Sequence, residues 1–166
     1  MSQHLRYLKR GRLAAAALGL VALAAAMQAS ASDSVSVTVN ATVVGVCKFF
    51  NTTAPVLNIT NTGTGSDIDP SLTGDATGST VVAYRCSNGT TPTFSIPSPS
   101  VSVTCSGCTG TPSMTATVTV TGGGAGSGMG SGNDKDLTVA GTITQATYVN
   151  AAAGAYTGTV TVSVTP

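Results

Sequence analysis

The sequence contains no glutamate and no tryptophan, and its single histidine, His4, lies close to the N-terminus. Charged residues make up only 8% and aromatic residues only 4% of the 166 residues. General acid–base catalysis most often relies on histidine or on carboxylates with shifted pKa values. This composition argues against an enzyme, so we predict no catalytic residue, no cofactor and no small-molecule substrate.

Residues 1–31 have the three parts of a secretory signal peptide. Basic residues lie within residues 6–12, an apolar run covers residues 13–26, and Ala29-Ser30-Ala31 precedes the predicted cleavage site before Ser32. The apolar run is shorter than the roughly 20 residues that a membrane-spanning helix needs. We therefore predict that residues 1–31 are a signal peptide and that residues 32–166 form one exported domain.

The predicted mature chain is acidic, because it contains six aspartates and only three basic residues, Lys48, Arg85 and Lys135. These basic residues form no cluster in the sequence. Proteins that bind nucleic acid or anionic lipid usually present a concentrated basic patch. Nucleic acid is therefore not among the predicted partners.

Residues 34–42 alternate strictly between polar and apolar side chains, which is typical of a β-strand with one buried face. The apolar set of this segment comprises Val35, Val37, Val39, Ala41 and, just beyond it, Val43. Similar short runs follow, separated by turn residues, at 55–60, 79–86, 93–97, 101–105, 113–121, 137–148 and 156–165. About seven to nine short strands and no helical period predict an all-β domain of the β-sandwich type.

Four cysteines in an exported chain predict two disulfides, because compartments outside the cytoplasm are oxidising. Three pairings are possible. We favour Cys47 with Cys86, which would join the first strand region to a central strand, and Cys105 with Cys108 as a short clasp. A redox-active Cys-x-x-Cys motif and a zinc site are disfavoured, because the short pair lies between strands and structural zinc usually needs two such pairs.

Two glycine-rich segments, at 61–77 and 122–133, interrupt the strand pattern and are predicted to be mobile surface loops. Each contains a Gly-x-Gly-x-Asp sequence, at 63–67 and 130–134, that is similar to the core of calcium-binding nonapeptide repeats. Such repeats work as tandem arrays, and calcium takes six to eight oxygen ligands. Two isolated copies favour solvated turns, so no metal site is predicted.

The alternating segment at residues 34–42 has two interpretations. It could be the edge strand of the sheet of its own domain, with the apolar face on the core. Alternatively, it could be a free extension that adds a strand to a neighbouring molecule, where main-chain hydrogen bonds give affinity and alternate side chains fill pockets. The pattern alone leaves both open.

Three segments of the chain resemble the spore coat protein U domain family, which includes the major pilins of archaic chaperone–usher systems. They are the alternating strand that runs into a cysteine at 34–47 (SVSVTVNATVVGVC), the strand with a cysteine at 79–90 (STVVAYRCSNGT), and the closing segment at 153–166 (AGAYTGTVTVSVTP). Together they frame nearly all of residues 32–166. The chain departs from the family at Gly158, where the family usually has aspartate.

The resemblance implies an immunoglobulin-like β-sandwich that lacks its final strand and is completed by a strand donated from a neighbouring subunit. A periplasmic chaperone lends this strand first, and the N-terminal extension of the next subunit replaces it at an outer-membrane usher. In this sequence the donor strand would be residues 32–44. Its groove-filling residues would be Val35, Val37, Val39, Ala41 and Val43, and the closing strand of the domain would contain Tyr156, Val160, Val162 and Val164.

We therefore expect a structural subunit of a surface pilus or coat that supports adhesion and biofilm formation. Its partners would be other copies of itself or related pilins in a linear homopolymer, together with the chaperone and the usher. It would pass through the periplasm to the cell surface. The alternative is a monomeric secreted β-sandwich binding module, in which residues 34–42 pair within their own chain and a glycine-rich loop contacts the ligand.

Overall fold

The structure, a computed structural model, describes residues 33–51, 53–110 and 113–166. The signal peptide predicted for residues 1–31 lies outside these ranges. The chain divides into two units, Met1–Ala41 and Thr42–Pro166, and every strand assigned in the described residues belongs to the second unit. Within the described ranges, no helix is long and apolar enough to cross a bilayer.

The regular secondary structure of the second unit consists almost entirely of β-strands, which confirms the all-β prediction. One short helix, α1 (Gln145–Tyr148), lies between the sixth and seventh strands. The strands are β1 (Cys47–Phe49), β2 (Ala76–Cys86), β3 (Thr93–Ser95), β4 (Ser100–Cys105), β5 (Ser113–Gly122), β6 (Lys135–Ile143), β7 (Tyr156–Thr157) and β8 (Ser163–Thr165).

Six of these strands form a curled, open antiparallel sheet in the order β1-β2-β6-β5-β4-β7. The pairing of β2 with β6 runs from Ala76 opposite Ile143 to Tyr84 opposite Lys135, and forms the longest ladder of the sheet. Strands β3 and β8 form a separate two-stranded sheet in which Phe94 is opposite Val164. Strands β1 and β7, which are only two or three residues long, lie at the edges of the large sheet.

Alternation along the long strands directs one set of side chains into the core. In β5, Met114, Ala116 and Val118 are buried, whereas the threonines between them are exposed. One buried cluster contains Val82, Tyr84, Cys86, Val118, Leu137 and Val139. A second contains Ala76, Met114, Ala116, Ile143 and Tyr148.

The two-stranded sheet packs on the first cluster through Phe94. The ring of Phe94 lies edge-on to the ring of Tyr84, with 4.9 Å between centroids, and 6.3 Å from the ring of Phe49. Val160 and Val162, which precede β8, pack against the same cluster. An edge-to-face aromatic contact stabilises such packing beyond its buried area.

The predicted strand at 55–60 is wrong, apart from one isolated bridge between Thr60 and Thr77. The segment instead passes closely over two opposed glycines, Gly78 of β2 and Gly141 of β6. A Cβ atom at Gly78 would overlap the carbonyl group of Asn58, and one at Gly141 would lie 2.8 Å from Cδ2 of Leu57. The two glycines therefore leave room for the segment to cover the sheet.

The predicted strand at 137–148 ends at Ile143, and its last four residues form α1 instead. The amide of Gln145 donates a hydrogen bond to the Asp75 carboxylate at 3.0 Å. The buried Tyr148 hydroxyl donates to the carbonyl oxygen of Gly74 and accepts from the side-chain amide of Asn61 at 3.1 Å. Contacts with the distant loop at 61–75 thus favour the helical turn.

The structure contains two disulfides, Cys47–Cys86 and Cys105–Cys108, which are the favoured pairs. The first joins opposed residues of β1 and β2 and spans 39 residues of sequence. The second joins the end of β4 to the following turn over a separation of 3 residues. No free cysteine occurs in the described residues.

Removing the two disulfides should have unequal effects on stability. Loop-closure entropy predicts a loss of about 4 kcal/mol for Cys47→Ala with Cys86→Ala, and about 2 kcal/mol for Cys105→Ala with Cys108→Ala. Denaturant unfolding of the protein with both disulfides formed and of the two double variants measures both losses. Equal losses, or a larger loss for the short clasp, would contradict the prediction.

Candidate interaction surfaces

The alternating N-terminal segment is not part of any sheet in the described residues. No strand is assigned before Cys47. Val35, Val37, Val39 and Val43 are 86%, 78%, 86% and 89% exposed, and Ala41 is also exposed. The structure thus assigns no strand to residues 34–42, and both interpretations of this segment stay predictions.

A second feature is an apolar pocket of about 330 Å³ within the second unit. Val82, which is 8% exposed, lies in its lining together with the partly buried Phe49, Val160 and Val162. The remaining lining residues are exposed: Asn51, Thr53, Ala54 and Pro55. The pocket thus gives solvent access to the edge of the first core cluster, which we call the core pocket.

The core pocket lies beside an unpaired strand edge. Hydrogen bonds from Ser87 N–H to Val46 O and from Phe50 N–H to Ala83 O, both 2.9 Å, flank the pairing of β1 with β2. In an antiparallel ladder, every second residue directs its backbone N–H and C=O groups at the partner strand, and the residues between them direct theirs away from it. Phe50 is bonded to β2, so the amide and carbonyl of its neighbour Phe49 point away from β2. Strand β1 has no second partner in the sheet, so this backbone faces the open side.

The predicted closing strand at 156–165 is divided between the two sheets. Tyr156 pairs with Cys105 in β7, whereas Val164 pairs with Phe94 in β8. Residues 158–162 between them are not assigned to a strand, although Val160 and Val162 contact the core. A continuous strand is therefore wrong, because the segment leaves one sheet to join the other.

Gly158 lies at the point where the closing segment leaves the large sheet. A Cβ atom there would lie 2.9 Å from the carbonyl oxygen of Ser102 and 2.9 Å from Cγ1 of Val103. Real Cβ atoms do not approach neighbours so closely. Glycine at this position therefore allows close packing on β4 that an aspartate would prevent.

Hydrogen bonds attach part of the glycine-rich segment at 122–133 to the rest of the second unit. Gly126 is buried, and its amide donates to Thr90 O at 2.8 Å while its carbonyl accepts from Gly89 N–H at 2.9 Å. The Tyr84 hydroxyl also donates to Gly124 O at 3.1 Å. These contacts with the turn after β2 argue against the predicted mobility for this part of the segment.

Both Gly-x-Gly-x-Asp sequences make contacts within the protein, through the backbone of Asp67 and the carboxylate of Asp134. The carbonyl of Asp67 accepts a hydrogen bond from the Thr60 hydroxyl at 2.7 Å. The carboxylate of Asp134 forms an ion pair with Arg85. The described ranges contain no group of three or more His, Cys, Asp or Glu residues arranged to hold a metal ion.

Arg85 connects three parts of the surface. Its Nε and Nη2 atoms donate to the two carboxylate oxygens of Asp134 at 2.6 and 3.1 Å, and its Nη1 donates to Met129 O at 3.4 Å. Its guanidinium also lies 4.3 Å from the centroid of the Phe50 ring. Hydrogen bonds from Arg85 lower the pKa of Asp134, and the same contacts raise the pKa of Arg85.

The outer side of the large sheet carries almost only hydroxyl side chains and few charges. Charged residues are confined to one corner, at Lys48, Arg85 and Asp136. The remaining outward positions include Ala140 and the 52%-exposed Val81. We call the hydroxyl-bearing positions the hydroxyl face; they are Thr77, Ser79, Ser100, Ser102, Thr104, Ser113, Thr115, Thr117, Thr119, Thr121, Thr138, Thr142 and Thr157.

Comparison of the chain with protein-family models, with curated proteins and with solved structures finds no match in any of the three. The resemblance to the spore coat protein U domain family therefore remains a prediction from the sequence segments. The features of the protein that bear on its function are the exposed N-terminal valines, the core pocket and the hydroxyl face.

The Arg85–Asp134 ion pair should make stability depend on pH. Because the pKa of Asp134 lies below its ordinary value of 3.8 in the folded state, the pair stabilises the fold above that value and loses its effect as the pH falls through the lowered pKa. We expect Asp134→Asn to lower the melting temperature at neutral pH and to approach the parental value in acid. Thermal melting from neutral to acidic pH measures the difference.

The Arg85→Gln background provides the control for this effect. If the ion pair causes the pH dependence, adding Asp134→Asn to Arg85→Gln should produce little further change at any pH. A pH-dependent loss of the same size in both backgrounds would assign the effect to another contact of Asp134.

Proposed function

We propose that the mature chain is a structural subunit of a surface filament in which each copy donates its N-terminal segment to the next. The observation that carries the proposal is the combination of an exposed, unpaired row of valines with an apolar pocket beside an unpaired strand edge. One molecule thus presents both halves of a strand-addition interface.

The chemistry of the two halves is complementary. A strand that contains Val35, Val37 and Val39 places one apolar side chain about every 6.7 Å on the same face. The core pocket offers Val82, Val160 and Val162 as apolar lining. The backbone of Phe49 offers an amide and a carbonyl to pair with the entering strand. Insertion would therefore cover apolar surface on both sides.

The free energy of this insertion would be the balance of two opposing contributions. Burial of an exposed valine stabilises a complex by roughly 1.5–3 kcal/mol, and each added backbone hydrogen bond contributes about 1 kcal/mol net. The ordering of residues 33–43 opposes these gains by roughly 1–2 kcal/mol per residue. Because the two contributions are similar in size, a stable polymer requires most of the donor valines to be buried on insertion.

The interface would join different surfaces of two identical copies. A head-to-tail contact of this kind leaves one donor segment and one core pocket free at the ends, so it extends into a filament. The resemblance adds the further proposal that the domain is an incomplete immunoglobulin-like sandwich. It also suggests a periplasmic chaperone and an outer-membrane usher as partners, with the finished filament at the cell surface serving adhesion and biofilm formation.

The donor segment can be tested by gel electrophoresis of material sheared from the cell surface. We expect a ladder of multimers without boiling that collapses to one band of mature size after boiling. Val37→Asp with Val39→Asp should abolish the ladder, because two carboxylates would have to enter an apolar pocket. The matched control is Ser36→Asp with Thr38→Asp, which adds the same charge to the opposite face and should keep the ladder.

A blocked acceptor gives an independent test. Ala54 is exposed at the rim of the core pocket, so Ala54→Glu should hinder strand entry with little effect on the fold. Co-expression of the Ala54→Glu chain with the Val37→Asp/Val39→Asp chain should yield one heat-sensitive dimer and no longer ladder. A full ladder from this mixture would contradict the proposed pairing of donor with pocket.

Deleting residues 32–44 distinguishes the filament subunit from the monomeric binding module. If the segment is donated to another copy, the shortened chain should keep its β-structure and accept a synthetic peptide of residues 32–44. If the segment belongs to its own sheet, the deletion should unfold the domain. Circular dichroism and peptide binding together separate these outcomes.

A further inference from the structure

The hydroxyl face has properties that the proposed filament contact does not use. It lies on the outward side of the large sheet, opposite the core that lines the core pocket. Its rows continue from strand to strand: Thr117 is opposite Ser100 on one side and Thr142 on the other, and Thr142 is opposite Thr77. Neighbouring strands are about 4.8 Å apart, so the hydroxyl groups form a regular two-dimensional array.

The absence of charge from this array is the second property. Solvent-facing sheets and edges usually carry charged residues, especially lysine, that prevent association with other copies. The outward neighbours of Thr119 are uncharged: they are Thr117 and Thr121 along β5 and Ala140 opposite it on β6. The nearby outward charges, Arg85 and Asp136, lie at one corner. Two copies of this face therefore meet no like-charge repulsion over most of their area.

The third property is self-complementarity. Each hydroxyl group donates one hydrogen bond and accepts up to two, so a hydroxyl array can satisfy an identical array in many registers. Threonine is also β-branched, which restricts its χ1 rotamers and reduces the entropy lost on contact. A face of this composition is suited to a second copy of itself, whereas an acidic or basic partner would find no complementary charge.

We propose that the hydroxyl face is the lateral contact through which filaments of this protein associate side by side. The inference rests on the proposed function, because a single hydroxyl-to-hydroxyl contact is weak and the filament supplies many copies in a row. When many weak contacts are linked in a row, the overall affinity exceeds that of a single contact, although no new kind of interaction is added. The hydroxyl face of one filament thus binds the hydroxyl face of a neighbouring filament.

The test uses sheared filaments of the full mature chain, assayed in two ways. Heat-sensitive ladders report strand-exchanged polymer, and low-speed sedimentation with negative-stain electron microscopy reports bundles. Thr119→Lys should keep the ladder and lower the sedimenting fraction more than about tenfold, because like charges would then face each other along the whole contact. Thr73→Lys, at an exposed loop position outside the set of residues that defines the hydroxyl face, adds the same charge and should bundle like the parental filaments.

Charge reversal separates a lost contact from a damaged fold. Filaments of Thr119→Lys mixed with filaments of Thr119→Glu should bundle, although neither variant does so alone. Bundles of Thr119→Lys should also return near 1 M salt, where the screening length falls to about 3 Å. Parental filaments that show the ladder but no bundles, or Thr119→Lys filaments that bundle like the parent, would overturn the inference. Absence of the ladder in the parental chain would overturn the proposed function, and the lateral contact with it.

Discussion

The packing of Phe94 against Tyr84 is the contact on which the arrangement of the second unit depends. Tyr84 is fully buried in β2, and Phe94 belongs to the two-stranded sheet. Their edge-to-face contact fixes where the small sheet lies over the large one. Phe49 lies within reach of the same ring, so the edge strand β1 is positioned by it as well. The walls of the core pocket, from β1 and from the segment before β8, follow from this contact.

Strands β5 and β6 could be predicted from the sequence because local alternation and final burial agree in them. Val118 and Val139 alternate with threonines, and both are buried in the sheet. The paired glycines and the short helix could not be predicted in the same way. The path of residues 57–60 depends on Gly78 and Gly141, which are distant in sequence, and α1 depends on a loop some 70 residues earlier. Such tertiary contacts override local propensity.

The candidate surfaces were predictable to different degrees. The alternation at 34–42 identifies a strand-forming segment, but it does not indicate whether the sheet that receives the segment is in the same chain. The core pocket could not be predicted, because its lining residues, among them Phe49, Val82 and Val162, are distant in sequence and adjoin only after folding. The hydroxyl face was visible in the sequence as Thr-x-Thr patterns, but its extent depends on the strand order. Threonine is common in strands, so the pattern alone does not distinguish a solvated face from a contact.

The Cys47–Cys86 disulfide has a mechanical consequence. Residues 33–46 lead directly into β1, so tension applied to them reaches the first covalent cross-link at Cys47. Strand β1 is three residues long and would by itself peel from the sheet edge as its few hydrogen bonds break one after another. The disulfide instead passes the tension covalently to β2, which is held by its long ladder with β6. When the tension runs along the strands, opening the unit from this end therefore requires many hydrogen bonds of this ladder to break together, so a very short edge strand can serve as the point of attachment.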